Sequence, residues 1–164
     1  MEDLIRAFAR VFRDEDVSLR IGGDGSTRSF LEDIAKELKI DEKITFLGAL
    51  SREEVAQEMK KCDAFALPSE HETFGVVYIE ALACGKPVIG AYNGGAEDII
   101  NERNGIIALK NNVNDLGKAL KWIRNNYSDY DNLKIREEVV SKYSEGILIE
   151  KLKGVYKEVN EKFI

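Results

Sequence analysis

Stripes of apolar residues at helical spacing alternate along this chain with short runs that are apolar throughout, and that alternation restricts the fold more than any other feature. Leu4, Ile5, Phe8, Val11 and Phe12 recur at helical intervals, and Val17–Ile21 follows as a strand. Phe30, Leu31, Ile34 and Leu38 mark a second helix, and Ile44–Leu47 a second strand. Ser51 with Glu54 is a capping box opening a third helix, whose inner side carries Val55, Met59 and Cys62. Further strands are expected at Ala64–Leu67, Val88–Ala91 and Ile106–Leu109. The tail, about 112–163, is expected to be helical, with one stripe at Leu116, Leu120 and Ile123 and another at Leu148, Leu152, Val155, Tyr156, Val159 and Phe163. Apolar strands separated by helices predict an α/β fold: a doubly wound, Rossmann-like parallel sheet with helices on both faces.

The 164 residues, 44% of them hydrophobic, suffice for one core, so 1–164 reads as a single domain. Cys62 and Cys84 lie far apart in apolar contexts, as reduced core thiols do, and a disulfide framework or metal knuckle is not expected. No apolar run approaches the roughly 20 residues that span a bilayer, and a cytoplasmic protein is expected. The formal charge of −6 argues against non-specific nucleic-acid binding, so an anionic ligand must be met by local groups.

Pro68 and Pro87 are the only prolines, and the stretch between them carries the chemistry. Pro68 ends the Ala64–Leu67 run by withdrawing a ladder donor, and Ser69–Thr73 becomes a strand-to-helix turn. A helix is expected from about Phe74 to Cys84, with Thr73 as its N-cap and Gly85 as a left-handed C-cap. The free amides of Phe74, Gly75 and Val76 then face the turn, and Gly75 lets a ligand approach the backbone, which suits a phosphate. Glu80 is the only charged residue between Thr73 and Gly85, and a carboxylate among apolar residues is costly without a partner. Glu72 stands just outside this helix; helical steps of about 100° bring position 80 to within about 80° of position 72, so both carboxylates can serve one ligand. The plainer alternative makes Glu72 an acidic residue favoured near a helix start and Glu80 an ordinary ion-paired glutamate. Gly22-Gly23-Asp24-Gly25 is a glycine turn between strand and helix, where a nucleotide phosphate would sit. Asp14-Glu15-Asp16 and Asp129-Tyr130-Asp131 match the Asp-x-Asp pattern of metal-dependent transferases but fall in charged, exposed segments, and His71 reads as a loop residue beside Glu72.

From Pro68 to Gly90 the chain resembles the donor-binding signature of retaining glycosyltransferases of family 4, two-domain GT-B enzymes that carry glutamates separated by seven residues, as Glu72 and Glu80 are. Leu19–Gly25 resembles the family's strand and glycine turn, Ile44–Gly48 its next strand, Gly94-Gly95 after Asn93 its double glycine, and Asn104–Ile107 its last strand. The resemblance implies the C-terminal half of a GT-B fold, a domain that binds a UDP- or GDP-linked sugar as substrate and uses no metal or other cofactor. It implies Glu72 as the catalytic glutamate, contacting the sugar ring and orienting its anomeric carbon, and Glu80 as acceptor for the ribose hydroxyls. Phe74, Gly75 and Val76 would hold the diphosphate, Gly23 and Gly25 would lie close to the nucleotide, and Leu47, within Phe46–Gly48, along the base.

Members of that family begin this domain with a strand ending in Gly-Arg followed by Lys-Gly, whereas Met1–Phe8 resembles the helix that comes next. The expectation is a sheet without its first strand, which would be central, between Val17–Ile21 and Ala64–Leu67, and an acceptor-binding N-terminal domain outside this chain. A fragment or one part of a split enzyme is therefore expected, inactive alone and prone to self-association, the full-length enzyme being cytoplasmic or peripheral at the membrane. Asp98 stands where the family usually has glutamate, and Glu97 where it commonly has proline. Two other classes stay open: a nucleotide-binding regulatory module without transfer activity, and a receiver-type signalling domain, which needs an acidic cluster at a first strand.

Overall fold

The computed structural model describes residues 1–162; Phe163, assigned above to the last apolar stripe, lies outside the described residues. In chain order the elements are α1 (Glu2–Phe12), β1 (Leu19–Gly22), α2 (Arg28–Glu37), β2 (Ile44–Gly48), α3 (Arg52–Lys61), β3 (Phe65–Ala66), α4 (Val76–Ala83), β4 (Val88–Ala91), β5 (Gly105–Ala108), α5 (Val113–Asn125), α6 (Asn132–Tyr143) and α7 (Glu145–Lys162). The apolar stripe of α1 is buried at Leu4, Ile5, Phe8 and Phe12. α3 opens on the expected capping box: Ser51 Oγ accepts from the Glu54 amide at 3.3 Å, and the Ser51 amide donates to the Glu54 carboxylate at 2.8 Å. α6, which the apolar pattern does not single out, buries only Ile135 and Val139.

Several boundaries differ from expectation. β1 starts at Leu19 because the Val17 amide is used in a turn, donating to Glu15 O. β5 lies one residue earlier than read, ending at Ala108 and leaving Leu109 exposed. The Ala64–Leu67 run shrinks to a two-residue strand, although the amides of Phe65 and Leu67 donate to Pro87 O, just before β4, and to Ile89 O within it.

All strand pairings between named strands are parallel. They form two sheets rather than one, β1-β2 and β3-β4-β5, and no described strand joins β1 to β3. The two sheets nevertheless border one core: Leu19 of β1 packs against the same cluster as Ala64 and Ala66. That cluster, with Leu4, Ala7, Leu116, Ala119 and Ile123, places α1 and α5 on one face of β4, contacted by Ile89. Val88, the adjacent residue, turns to the other face, where Tyr78, Leu82, Ile135 and Val139 bring α4 and α6. A third cluster packs α1 and α2 against β1 and β2 through Phe8, Phe12, Ile21, Ile34 and Ile44. Helices thus cover both faces of β4, as a doubly wound fold requires. On α7, Leu148, Leu152, Val155, Tyr156 and Val159 are exposed.

Candidate functional site

The expected site residues fall beyond the C-terminal ends of strands, but on two different sheets. On the small sheet, β1 runs into Gly23, whose amide donates to Gly48 O at 2.8 Å, so the glycine turn is pinned to the end of β2 immediately after Leu47. Asp24 closes the turn by accepting from the Gly25 amide at 2.8 Å. Gly23 and Gly25 are exposed and Leu47 is half-buried.

On the larger sheet, β3 leads into the 67–75 loop. Its shape depends on Tyr78, fully buried, whose hydroxyl donates to Leu67 O at 2.6 Å. Asn93, just past β4, donates to Ser69 O at 3.1 Å and to the Tyr78 hydroxyl at 3.4 Å, while its Oδ1 accepts from the amides of Gly95 and Ala96 at 3.2 and 3.0 Å. Glu97 adds a carboxylate to the same turn, accepting from the amides of Asn93 and Gly94. Burial pushes the Tyr78 phenol up, against the Asn93 hydrogen bond and with help from the charges of Glu72 and Glu97.

This network seats the double glycine on the backbone of the motif. A Cβ on Gly95 would lie 2.9 Å from Glu72 O and 3.2 Å from the backbone of Phe74, so no side chain fits there. Gly75 adopts φ +78°, and a Cβ there would meet the Tyr78 ring at 2.7 Å.

The start of α4 corrects one expectation. Thr73 does not cap it; the N-cap is Gly75, in the left-handed conformation, and the first helical residue is Val76. Tyr78 N makes the first helical bond, to Gly75 O, which leaves the amides of Gly75, Val76 and Val77 without intrahelical partners. The amide cluster is therefore displaced by one residue from Phe74–Val76. Phe74 instead presents an exposed ring, packed edge-to-face on Tyr143 at 6.2 Å. Gly85 is left-handed as expected, φ +74°.

Glu72 is half-buried at the loop and Glu80 is exposed. The isolation of Glu80 in the sequence therefore carries no burial penalty: α4 turns it to solvent while Tyr78, Ala81 and Leu82 face the core. His71 is an exposed loop residue whose carbonyl accepts from Ser69 Oγ at 3.0 Å. Asp131 is the N-cap of α6, accepting from the amides of Leu133 and Lys134. Among the described residues no group of three or more His, Cys, Asp or Glu is placed to hold a metal ion, and none of the helices is long and apolar enough to cross a membrane.

Residues 1–150 match the family described as glycosyl transferases group 1. The chain belongs to that family. It is similar to an uncharacterized glycosyltransferase of Methanocaldococcus jannaschii, 31% identical over 96% of this chain and 41% of that protein. It is also similar to N-acetyl-alpha-D-glucosaminyl L-malate synthase of Bacillus anthracis, 36% identical over 61% of this chain and 26% of that one. The domain thus spans well under half the length of these relatives. Among solved structures, Anabaena HepE in complex with UDP and glucose superposes with a TM-score of 0.83 at 22% identity, over 95% of this chain and 44% of that one. Sucrose-phosphate synthase from Thermosynechococcus elongatus gives 0.83 at 27% identity, over 98% and 42%. The fold is that of roughly the C-terminal half of GT-B glycosyltransferases, as the motifs implied.

Within this group 1 domain, three residues of the site escape sequence reading. Asn93 is the hub of the turn, and the available signal was an Asn immediately before the double glycine, where its side chain bonds back to the amides two and three residues on. Tyr78 gave no signal beyond the need of a buried phenol for a partner. Arg28, at the start of α2, brings a cation to the glycine turn: its guanidinium lies near Asp24 at 3.9 Å and holds Glu32 at 2.8 Å, and a Cβ on Gly48 would be 3.3 Å from it.

Proposed function

We propose that this group 1 domain is the donor-binding half of a retaining, metal-independent glycosyltransferase of family 4 that takes its sugar from a UDP- or GDP-linked donor. The observation that carries the reading is the Asn93-centred turn, which packs Gly94-Gly95 against the Glu72–Phe74 backbone beside three free helix amides. Such amides, fixed before the ligand arrives, suit a diphosphate leaving group, because donors that need no reorganisation stabilise developing charge most effectively. Glu72 is assigned to the sugar ring, Glu80 to the ribose hydroxyls, and Gly75, Val76 and Val77 together with Phe74 to the diphosphate. Gly23, Gly25 and Leu47 are assigned to the nucleotide. HepE, one of the structural neighbours, was crystallised in complex with UDP and glucose, which supports a sugar nucleotide as ligand. The enzyme is proposed to act in the cytoplasm, free or peripheral at the membrane.

The divided sheet favours a second proposal for how the domain works: as one part of a larger or split enzyme, with an acceptor-binding N-terminal domain supplied by other polypeptide, and with self-association when that part is missing.

Calorimetry with UDP and GDP tests the assignment. Glu80→Gln keeps the shape but loses charge-assisted hydrogen bonds, and affinity is expected to fall about tenfold or more. Because Glu80 is exposed, the melting temperature should not move. Unchanged affinity removes Glu80 from the site, and failure of both nucleotides to bind defeats the reading.

A further inference from the structure

Around the only tryptophan of the chain the surface is hollowed on two sides. One lobe, of about 460 Å³, is bounded by Asn126, Asp129, Lys134 and Glu138; the other, of about 520 Å³, by Tyr92, Asn101, Gly105 and Ile107. Both share Trp122, Tyr130 and Glu102, so the indole stands between two halves of one groove. Each half is within the size range of small-molecule sites.

Trp122 is 58% exposed, although the neighbouring residues of α5, Ala119 and Ile123, are buried. Its surroundings are also anchored. The Tyr130 side chain, which bounds both lobes beside the indole, is packed against both central core clusters. The Asn126 amide donates to Trp122 O at 2.8 Å, fixing the end of the helix below it. An aromatic face carried on a fixed helix end beside a packed tyrosine, yet left open, suits a flat apolar surface.

The polar lining narrows the ligand. Lys134 pairs with Asp131 at 3.2 Å and Arg103 with Glu138 at 3.8 Å, so the cations are already matched and an anion finds no unopposed charge. Glu102 and Asp129 offer exposed carboxylate acceptors. β5 is the last strand of its sheet, and Val88 and Tyr92 donate to the carbonyls of Asn104 and Ala108. By strand alternation the main-chain groups of Ile107 face away from β4, toward the groove, while the Gly105 amide is taken by Asn101 O at 2.9 Å. The groove therefore combines an aromatic platform with neutral main-chain donors and acceptors and a few carboxylates.

We infer that the Trp122 groove binds a neutral oligosaccharide, one sugar ring stacking its C–H face on the indole and its hydroxyls meeting Glu102, Asp129 and the outer edge of β5. The inference rests on the glycosyltransferase reading and extends it: the groove holds a non-reacting stretch of the glycan that the enzyme elongates. Glu72, Gly75 and Glu80 do not line it, while Tyr92 connects it to the Asn93 turn.

The sole tryptophan makes the test direct. Intrinsic fluorescence of the 164-residue chain is titrated with maltohexaose, cellohexaose and chitohexaose, and migration is followed in gels containing the corresponding soluble polysaccharides. At least one glycan should shift the emission and retard the protein. Trp122→Ala should weaken retardation about tenfold or more, as loss of a tryptophan anchor does, and leave UDP affinity unchanged. No shift and no retardation with any glycan overturns the inference, as does retardation that survives Trp122→Ala. Emission that shifts with protein concentration alone, together with dimers in the ultracentrifuge, makes the groove a contact between copies and equally overturns it. Loss of UDP binding is read separately by calorimetry, so failure of the donor assignment is not confused with failure here.

Discussion

β3 and β4 lie side by side, both short and apolar, yet every residue of β4 is buried while both residues of β3 are only half-buried. β4 is paired on both edges and covered on both faces. β3 is paired on one edge: the amides of Phe65 and Leu67 reach β4, so by alternation those of Ala64 and Ala66 point toward the other sheet, from which no described strand meets them. Burial of a strand is thus set by what flanks it as much as by its own residues. The molecule has a closed side, around β4 and β5, and an open one, between β1 and β3.

The same substitution on each side should separate them most strongly. A Cβ on Gly105 would lie 2.1 Å from Val88 O, a backbone atom in a paired strand. A Cβ on Gly22 would meet only the tip of Leu50 at 2.9 Å, a side chain free to turn. Gly105→Ala is expected to cost about 3 kcal/mol or more, and Gly22→Ala under about 1 kcal/mol. Thermal melts should show the first variant lowered by about 6 °C or more and the second nearly unchanged. Equal losses would mean that the small sheet is as tightly built as the large one.

Hydrogen exchange sharpens the comparison residue by residue. The amide of Val88 donates to Asn104 O at 3.0 Å and should be among the best protected. The amides of Ala64 and Ala66 should exchange about a hundredfold faster, because opening them breaks no ladder bond. Equal protection that depends on protein concentration would show a second copy pairing with β3.

Much of this architecture was legible because it is local. The helical stripes, the capping box at Ser51 and Glu54, and the left-handed Gly85 each depend on a few neighbouring residues, and each stands where its pattern placed it. What depended on distant partners was not legible. Thr73 is a good cap by composition, but the packing of Tyr78 and Ile99 around Gly75 fixes the helix start two residues later. Glu80 looked isolated among apolar residues because a linear string does not show that an eight-residue helix turns one side outward. The expected gap in the sheet came from motif order, and the structure records it as two separate sheets. Asn93 and the Trp122 groove required three-dimensional neighbours from loops and helices remote in sequence.

Asn93 ties the exit of the half-buried β3 to that of the buried β4, and removing it tests whether the open side borrows order from the closed one. Asn93→Ala leaves the amides of Gly95 and Ala96 and the carbonyl of Ser69 without their side-chain partner. The expected loss is about 1 to 3 kcal/mol, accompanied by weaker UDP binding in calorimetry. Weaker stability with intact nucleotide affinity would separate the turn from the site.

The smallest effect concerns a link across the gap itself. Arg20 of β1 donates to Glu58 of α3 at 2.6 Å, joining the small sheet to the helix that feeds β3. Arg20 is exposed and Glu58 half-buried at the surface, so the pair is a weak brace. The hydrogen bond from Arg20 holds the Glu58 carboxyl below its ordinary 4.5, with Lys61 adding to the effect. A carboxyl depressed in the folded state contributes stability above its unfolded value and loses it as pH falls through its folded value. Arg20→Ala should therefore lower the melting temperature slightly at neutral pH, and the two melting curves should converge as pH drops below 4.5. They should also converge in about 1 M salt, where the screening length is near 3 Å. A difference that persists in acid and in salt would mean that Arg20 holds the sheet by packing of its aliphatic stem, and that the open side is braced by contact instead of charge.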